Sequence, residues 1–178
     1  MEELQPINTT VKKNEKSDTV KNKWIDDLTK LKLAFLTGER DTVKTFFTFP
    51  VADKKNEIWY RVDSRYAASL PKGKTHPFKE SDFDKHYNNL FGIDFINTLE
   101  ILEITELHKK PLTQSAKLKI IPGSLSYMKA YVDKTRKIVT LEIINEGKSF
   151  GKYSFQYQFN IINDQFIKFK TVVSVYDF

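Results

Sequence analysis

Three histidines are the side chains of this sequence that could carry acid–base or metal chemistry near neutral pH. His76 precedes a proline in a basic stretch, His86 falls on the polar side of a predicted helix, and His108 precedes two lysines. None of them forms a pattern such as His-x-x-x-His, in which two histidines share one helix face and can hold a metal ion. We therefore predict surface positions for all three, with no metal site and no cofactor.

Two groups of carboxylates also have spacings that could do chemistry. The first is Glu80, Asp82 and Asp84, and the second is Glu100, Glu103 and Glu106. The first group falls in the opening turn of a predicted helix, where the helix dipole favours negative charge without any bound cation. The second recurs every three residues, so it shares one helix face, which is as typical of a solvated surface as of a carboxylate pair. We predict no catalytic residue from either group.

Four tyrosines are the better candidates for binding. Tyr127, Tyr131, Tyr153 and Tyr157 fall on two predicted strands at alternating positions. Tyrosine combines a large apolar ring with a polar tip, so these phenols could line a concave surface and hydrogen bond to a ligand. The alternative is that they belong to the core of the sheet. A second candidate is the basic stretch 64–79, predicted to be a loop, in which Arg65, Lys72 and Lys74 could meet an acidic partner; an ordinary mobile loop is the alternative.

Composition limits the classes of protein. The 178 residues include 14 Phe, 8 Tyr and 2 Trp, enough for one sizeable core, and carry a net charge of +6. The lysines are scattered, whereas nucleic-acid binding needs a contiguous basic track. The absence of cysteine excludes disulfides and thiolate metal sites. No apolar run is long enough to predict a transmembrane helix.

Two regions are predicted from the pattern of polar residues. Residues 1–17 have almost nothing to bury and are expected to form a disordered polar leader or tether, while 18–178 are expected to form a single domain. A leader of this kind is typical of an exported or lipid-anchored protein of the bacterial envelope if Met1 is not the native start. Otherwise the cytoplasm is the expected compartment.

The elements that must position these candidates follow from periodicity. A helix that begins at Ser17 or Asp18 and ends at Gly38 is predicted from apolar residues spaced by three or four positions, namely Val20, Trp24, Leu28, Leu31 and Phe35. A short helix capped by Asp41, a strand over 57–63, and helices starting at Ser81 and Asp94 follow. Strands are predicted over 117–121, 125–132, 137–144, 149–162 and 165–176, joined by short turns as in an antiparallel meander. The predicted fold class is α+β, with N-terminal helices packed on a curved sheet.

This order of elements resembles the nuclear transport factor two-like superfamily, the cystatin-like cone shared with ketosteroid isomerase-like proteins. The likeness rests on residues 31–51, where a helix ends at Phe35-Leu36, Gly38 breaks it, an Asp41-capped helix follows and Phe47-Thr48-Phe49-Pro50-Val51 leads into the sheet, and on the terminal meander. The stretches 56–59 and 82–91 are also similar to small uncharacterised proteins of envelope-rich bacteria. The superfamily implies a pocket between the helices and a concave sheet, in which its enzymes place an acid–base Asp, His or Tyr.

The inward candidates on this meander are mainly Tyr, Phe, Ile, Val and Leu, which departs from the enzyme pattern. We therefore expect a non-enzymatic binding module of a bacterial protein, monomeric or homodimeric, that engages a protein partner or a small apolar ligand through its sheet face or pocket. An immunity or accessory protein is one form of this expectation. The alternative is a ketosteroid isomerase-like enzyme acting on a small hydrophobic substrate, which requires a buried carboxylate or histidine with two hydrogen-bond donors nearby. A third expectation is a dimerising domain with a flat, exposed apolar sheet face.

Overall fold

The computed structural model describes residues 22–53, 55–120 and 122–177. In these residues the helices come first and the sheet follows, which confirms the predicted α+β class. The helices are α1 (Lys23–Thr37), α2 (Arg40–Lys44), α3 (Glu57–Val62), α4 (Ser64–Ser69), α5 (Glu80–Leu90) and α6 (Ile93–Glu100), followed by a 3-10 turn at Ile104–His108. The strands are β1 (Leu112–Gln114), β2 (Ser124–Asp133), β3 (Ile138–Gly147), β4 (Gly151–Ile162) and β5 (Phe166–Asp177).

Helix α1 buries the predicted apolar stripe and ends where the sequence indicates. Trp24, Leu28, Leu31 and Phe35 are all buried. Gly38 adopts a left-handed conformation with φ 72°, and its N–H donates to the carbonyl of Phe35, so it ends the helix as glycine commonly does. The start predicted at Ser17 or Asp18 lies outside the described residues.

The chain that follows α2 anchors the helices to the core through Phe47. Its ring stacks on Phe169 at 4.2 Å between centroids and meets the edge of Phe83 at 4.9 Å. Asp41 lies in the first turn of α2, and Glu39 holds the cap position, so the predicted Asp41 cap is wrong in detail.

The strand predicted over residues 57–63 is wrong, because this stretch is helix α3. The spacing of Ile58, Tyr60 and Val62 suits a strand, but the structure instead buries Ile58, Trp59 and Val62, which share one helix face. The N-terminus of the helix is fixed by Asp53, a buried residue whose carboxylate accepts a 2.6 Å hydrogen bond from the N–H of Ile58. Helix α4 likewise replaces the first part of the predicted loop, and Asp63 caps it through the N–H of Tyr66.

Helices α5 and α6 occur where the sequence predicts them, with different caps. Lys79 holds the cap position of α5, and Asp82 accepts a 2.9 Å bond from its N–H, so Ser81 is not the cap. Gly92 precedes α6, and Asp94 lies in its first turn.

The five strands form one open antiparallel sheet in the order β1-β2-β3-β4-β5, which confirms the meander. The first predicted strand, over residues 117–121, is wrong: β1 lies earlier, and Leu118 makes only an isolated bridge with Ser126. Strand β3 also continues through the turn predicted at residues 145–147.

The register divides the strand residues into two faces. In one cross-strand row Ala130, Leu141, Tyr157 and Val172 lie side by side, and all four belong to the core cluster shared with the helices. We call this the helix face and its opposite the outer face. The free edge of β5 is covered by the helical region, since Ile167 and Ser174 donate their N–H groups to the carboxylates of Asp27 and Glu57.

Candidate functional site

A largely buried ion pair joins two helices above the sheet. Arg61 on α3 and Asp94 on α6 have side chains 13% and 15% exposed, and Nη2 of the guanidinium lies 3.4 Å from Oδ1 of the carboxylate. The guanidinium also donates through Nε to the Tyr157 hydroxyl at 2.9 Å, and it lies 4.5 Å from the centre of the Phe155 ring. The sequence prediction missed this pair because it placed Arg61 on a strand.

The ion pair continues into the sheet through polar side chains. Oδ2 of Asp94 accepts a 3.1 Å hydrogen bond from the Asn145 amide, whose oxygen accepts a 2.6 Å bond from the Ser126 hydroxyl. Gly92 allows this close approach: a Cβ there would lie 2.6 Å from Oδ1 of Asp94 and 3.1 Å from Nη2 of Arg61. The result is a hydrogen-bonded network that connects α3 and α6 with β2, β3 and β4.

Tyr157 is fully buried within this network and acts as a donor. Its hydroxyl donates to the carbonyl of Leu90, at the end of α5. Burial raises the pKa of Tyr157 to about 12, although Arg61 opposes this increase. The phenol is therefore neutral over the physiological pH range and serves to hold Arg61 against α5.

The space beside the network is filled by aromatic rings. Phe95 and Phe91 lie 4.6 and 5.7 Å from Tyr157 between ring centroids, and all three residues are almost fully buried. This is the position in which the superfamily resemblance predicts an open pocket. Asp94 does have the two donors, Arg61 and Asn145, that the isomerase-like alternative requires, but each of its carboxylate oxygens already accepts from one of them.

A row of exposed aromatic rings lies just outside the network, at the end of the sheet that contains the β3–β4 turn. Phe150 and Tyr176 are 46% and 52% exposed, and Tyr153 between them is half-buried. The ring of Tyr153 lies 5.4 Å from that of Phe150 and 6.5 Å from that of Tyr176. We call these three residues the aromatic rim.

Two features hold the aromatic rim in place. Tyr153 is paired in register with both Asn145 of the network and Tyr176, so the three side chains share the helix face. The Phe150 ring rests on the backbone of Gly147, where a Cβ would overlap it. Rings fixed in this way lose little conformational entropy when they bind.

Positive charge lies at the same end of the sheet as the aromatic rim. A surface recess of about 670 Å³ at this end of the sheet is lined by Lys119, Lys148 and Lys152, together with Glu146. Glu146 is already paired with Lys117 at 2.8 Å, and it accepts a 2.8 Å bond from the hydroxyl of Tyr127. Glu146 and Lys152 pair in register on the outer face, whereas the rim lies on the helix face, so the lysines and the rings share one end of the sheet but not one face.

The four tyrosines predicted as one binding group lie on two faces of the sheet. Tyr153 and Tyr157 are on the helix face, whereas Tyr127 and Tyr131 pair with Ile144 and Thr140 on the outer face. Of the four, Tyr153 alone belongs to the aromatic rim. Residue spacing shows that the two tyrosines of one strand share a face. Whether the tyrosines of two different strands share a face depends on the register between the strands, which spacing does not reveal.

The outer-face tyrosines are shielded from ionisation. Burial raises the pKa of Tyr127 and of Tyr131 to about 12, with a further contribution from Glu146 at Tyr127 and from Glu142 at both. Glu142 in turn accepts hydrogen bonds from Ser154 at 2.7 Å and Gln156 at 3.2 Å. The outer face is thus polar at its centre, unlike the flat apolar face expected of a dimerising domain.

The basic stretch is partly tied to the fold. Arg65, Lys72 and Lys74 are exposed, the first on α4 and the others in the chain after it. The Asn56 side chain donates to the carbonyl of Lys74 at 2.9 Å and accepts from the N–H of His76. The carbonyl of His76 in turn accepts from the Trp59 indole at 2.7 Å. Arg65, Lys72 and Lys74 are far in sequence from the residues of the aromatic rim. Their role in binding an acidic partner stays a prediction.

The histidines differ in exposure. His76 and His108 are exposed, as predicted, whereas His86 is half-buried with its ring 5.7 Å from that of Trp59. Within residues 22–53, 55–120 and 122–177, no cluster of three or more His, Asp or Glu side chains is arranged to hold a metal ion.

Comparison with protein-family models, with curated proteins and with solved structures gives no match for this chain, so the superfamily resemblance stays a prediction. None of the helices in the described part of the chain has the length and apolarity needed to span a membrane.

Proposed function

We propose that this protein is a non-enzymatic binding module that engages an acidic segment of a protein partner through its aromatic rim. The observation that carries the proposal is the row of rings formed by Phe150, Tyr153 and Tyr176. Phe150 and Tyr176 are about half exposed, and each ring lies next to that of Tyr153 between them. Exposed large apolar side chains are common singly, but a fixed group of them is typical of an interaction surface.

Aromatic side chains supply most of the binding energy in many protein interfaces. Tyrosine is enriched among the residues whose truncation costs the most, because its ring buries a large area and its hydroxyl can still hydrogen bond. The rim is also supported from behind by the Arg61–Asp94 network, which fixes Asn145 and therefore the strand position opposite Tyr153. A rigid surface of this kind loses little entropy on association.

Charge indicates the chemistry of the partner. Lys119, Lys148 and Lys152 line the recess at the same end of the sheet, and the chain as a whole carries a net charge of +6. A partner segment that passes around this end of the sheet, with an apolar side chain against the rings and aspartate or glutamate near the lysines, would match both. Its association rate should fall as ionic strength rises, because screening weakens attraction between exposed charges. An immunity or accessory protein that blocks its partner would need such a surface and no catalytic group.

A display library of random peptides tests this proposal directly, because it samples many combinations of charge and apolar side chains at once. The full chain is immobilised, and bound peptides are then counter-selected on the double variant Phe150→Ser, Tyr176→Ser. We expect the surviving peptides to combine acidic with aromatic or aliphatic residues and to bind the variant at least about tenfold more weakly, as expected when two interface anchors are removed.

Phe166→Ser provides the matched control. Phe166 is 53% exposed, close to the exposure of Phe150 and Tyr176, but it starts β5 at the opposite end of the sheet. Peptides that bind wild type, the rim variant and the Phe166 variant equally would overturn the proposal, as would a selection that enriches no sequence.

Asp94 favours a second candidate function, proton transfer on a small hydrophobic substrate. Its carboxylate is 15% exposed and has Arg61 and Asn145 as neighbouring donors. If the protein has this function, the wild type should isomerise a β,γ-unsaturated ketone and the variant Asp94→Asn should lose that activity. Activity that is equal in the two proteins, or absent from wild type, would exclude it.

A further inference from the structure

A separate cleft lies at the other end of the sheet. It has a volume of about 360 Å³, within the range of small-molecule sites, and it is bounded by the β2–β3 and β4–β5 turns and by the end of the 3-10 turn. Its apolar lining is formed by Trp24, Leu107, Val132 and Ile161. Three of these are buried core residues, so the cleft opens directly onto the end of the hydrophobic core.

Lysines surround this apolar lining. Lys109, Lys110, Lys134 and Lys137 line the cleft, and Asp164 is the carboxylate among the lining residues. Asp164 is paired with Lys137 at 2.7 Å. The cleft therefore combines an apolar interior with a strongly positive margin.

The lysines around the cleft differ in whether a carboxylate already neutralises their charge. Lys109 and Lys110 each lie 3.4 Å from the carboxylate of Glu106, which they share. Lys134, in the exposed β2–β3 turn, has no ion-pair partner among the residues that the structure describes. One shared glutamate and one aspartate leave an excess of positive charge around the cleft.

We propose that this cleft binds a small amphipathic carboxylate, of which a medium-chain fatty acid is the simplest example. The apolar chain would lie against Trp24, Leu107 and Ile161, and the carboxylate would lie among the lysines. A purely apolar ligand would leave the excess positive charge around the cleft without a counterion, and a polyanion would leave the apolar lining unfilled. The combination of the two linings is what selects an amphipathic anion.

This site is independent of the aromatic rim. The rim lies at the β3–β4 turn and the cleft at the β2–β3 and β4–β5 turns, which are opposite ends of strands 10 to 12 residues long. At about 3.3 Å per residue, the two sites are separated by roughly 30 Å. Loss of binding at one therefore does not imply loss at the other.

Trp24 gives the cleft its own reporter. The chain has 2 Trp, and the second, Trp59, packs against Phe78 and donates its indole N–H to the carbonyl of His76. In the variant Trp59→Phe, the remaining tryptophan fluorescence comes from the cleft. Isothermal titration calorimetry on the wild-type chain measures the same binding without any substitution.

The experiment compares decanoate with decan-1-ol, which has the same apolar chain and no charge, both below the concentrations at which they aggregate. We expect saturable decanoate binding that changes the emission of Trp24 and is at least about tenfold tighter than binding of decan-1-ol. The double substitution Lys109→Gln, Lys134→Gln should weaken decanoate binding by roughly tenfold, because each exposed cation contributes a few-fold. Decan-1-ol binding should be unchanged.

Arg136→Gln is the matched control, since Arg136 lies in the same turn as Lys134, pairs with Asp133 and does not line the cleft. It should leave decanoate binding as in wild type. The proposal would be overturned if decanoate and decan-1-ol bound with equal affinity, or if Arg136→Gln weakened decanoate binding as much as the lysine substitutions do. It would also be overturned if the protein bound anionic phosphatidylglycerol vesicles but no free decanoate.

Discussion

The guanidinium of Arg61 and the carboxylate of Asp94 meet at 3.4 Å between two helices, with side chains only 13% and 15% exposed. Because Arg61 also holds Tyr157 and Asp94 also holds Asn145, this contact ties the helices to the part of the sheet from which the aromatic rim projects. The network thus lies directly next to Tyr153, the central residue of the aromatic rim.

Removing one member of the ion pair should be costly. Asp94→Ala leaves the Arg61 charge with neutral partners, namely the Tyr157 hydroxyl, the Leu90 carbonyl and the Phe155 ring. A buried charge that loses its counterion destabilises a protein by about 3 kcal/mol or more. The free energy of unfolding, measured in urea, gives the cost. The double variant Arg61→Met, Asp94→Leu should recover much of the loss, because it removes both charges together. Equal stability of Asp94→Ala and wild type would mean that the pair is solvated.

Phe47 should be among the most sensitive positions in the core. It is 7% exposed and stacks on Phe169, so Phe47→Ala removes a ring from between the helices and β5 and is expected to cost about 3 to 5 kcal/mol. Phe166→Ala serves as the comparison, because its ring is 53% exposed and its loss should change stability by less than about 0.5 kcal/mol. The prediction fails if chemical denaturation gives similar midpoints for the two variants.

Alkaline pH should destabilise the fold through Tyr157. Its pKa is raised to about 12 in the folded chain from the ordinary value of 10.0, so the folded state retains a proton that the unfolded state releases. The stabilisation by the neutral phenol is complete below about pH 10 and is lost as the pH rises towards 12. Tyr157→Phe has no such proton to lose. When the pH rises from roughly 9 to 11, the unfolding free energy of wild type should therefore fall by about 1 kcal/mol more than that of the variant. Parallel pH profiles for the two proteins would contradict this assignment.

The parts of the fold that could be predicted depend on local signals. Gly38 ends α1 because glycine tolerates the left-handed conformation, and the meander follows from short turns between strongly apolar strands. Helix α3 could not be predicted from alternation, because Ile58, Tyr60 and Val62 fit a strand pattern as well as they fit a helix. Asp53, five positions before Ile58, stabilises the first turn of the helix by accepting from the N–H of Ile58, and this contact becomes recognisable only in three dimensions.

The candidate sites were less predictable than the fold. Of the tyrosines singled out in the sequence, Tyr153 lies in the aromatic rim, and its partners Phe150 and Tyr176 come from a turn and from the end of the last strand. The proximity of Tyr176 to Tyr153 depends on the register between β4 and β5, which contains a bulge at Gln158 and Phe159. The cleft combines α1, the 3-10 turn and two hairpin turns, and no single stretch of sequence contains it. The two lysines before Pro111 were a visible signal, but their apolar neighbours come from elsewhere in the chain.

The central claim is that the aromatic rim is the partner-binding surface, and the dissociation constant of one selected acidic peptide tests it most directly. The peptide is titrated against wild type, Tyr153→Ala and Phe166→Ala, with circular dichroism confirming that all three are folded. We predict that Tyr153→Ala weakens binding about tenfold or more and that Phe166→Ala leaves it unchanged. Equal dissociation constants for wild type and Tyr153→Ala, in folded proteins, would contradict the claim.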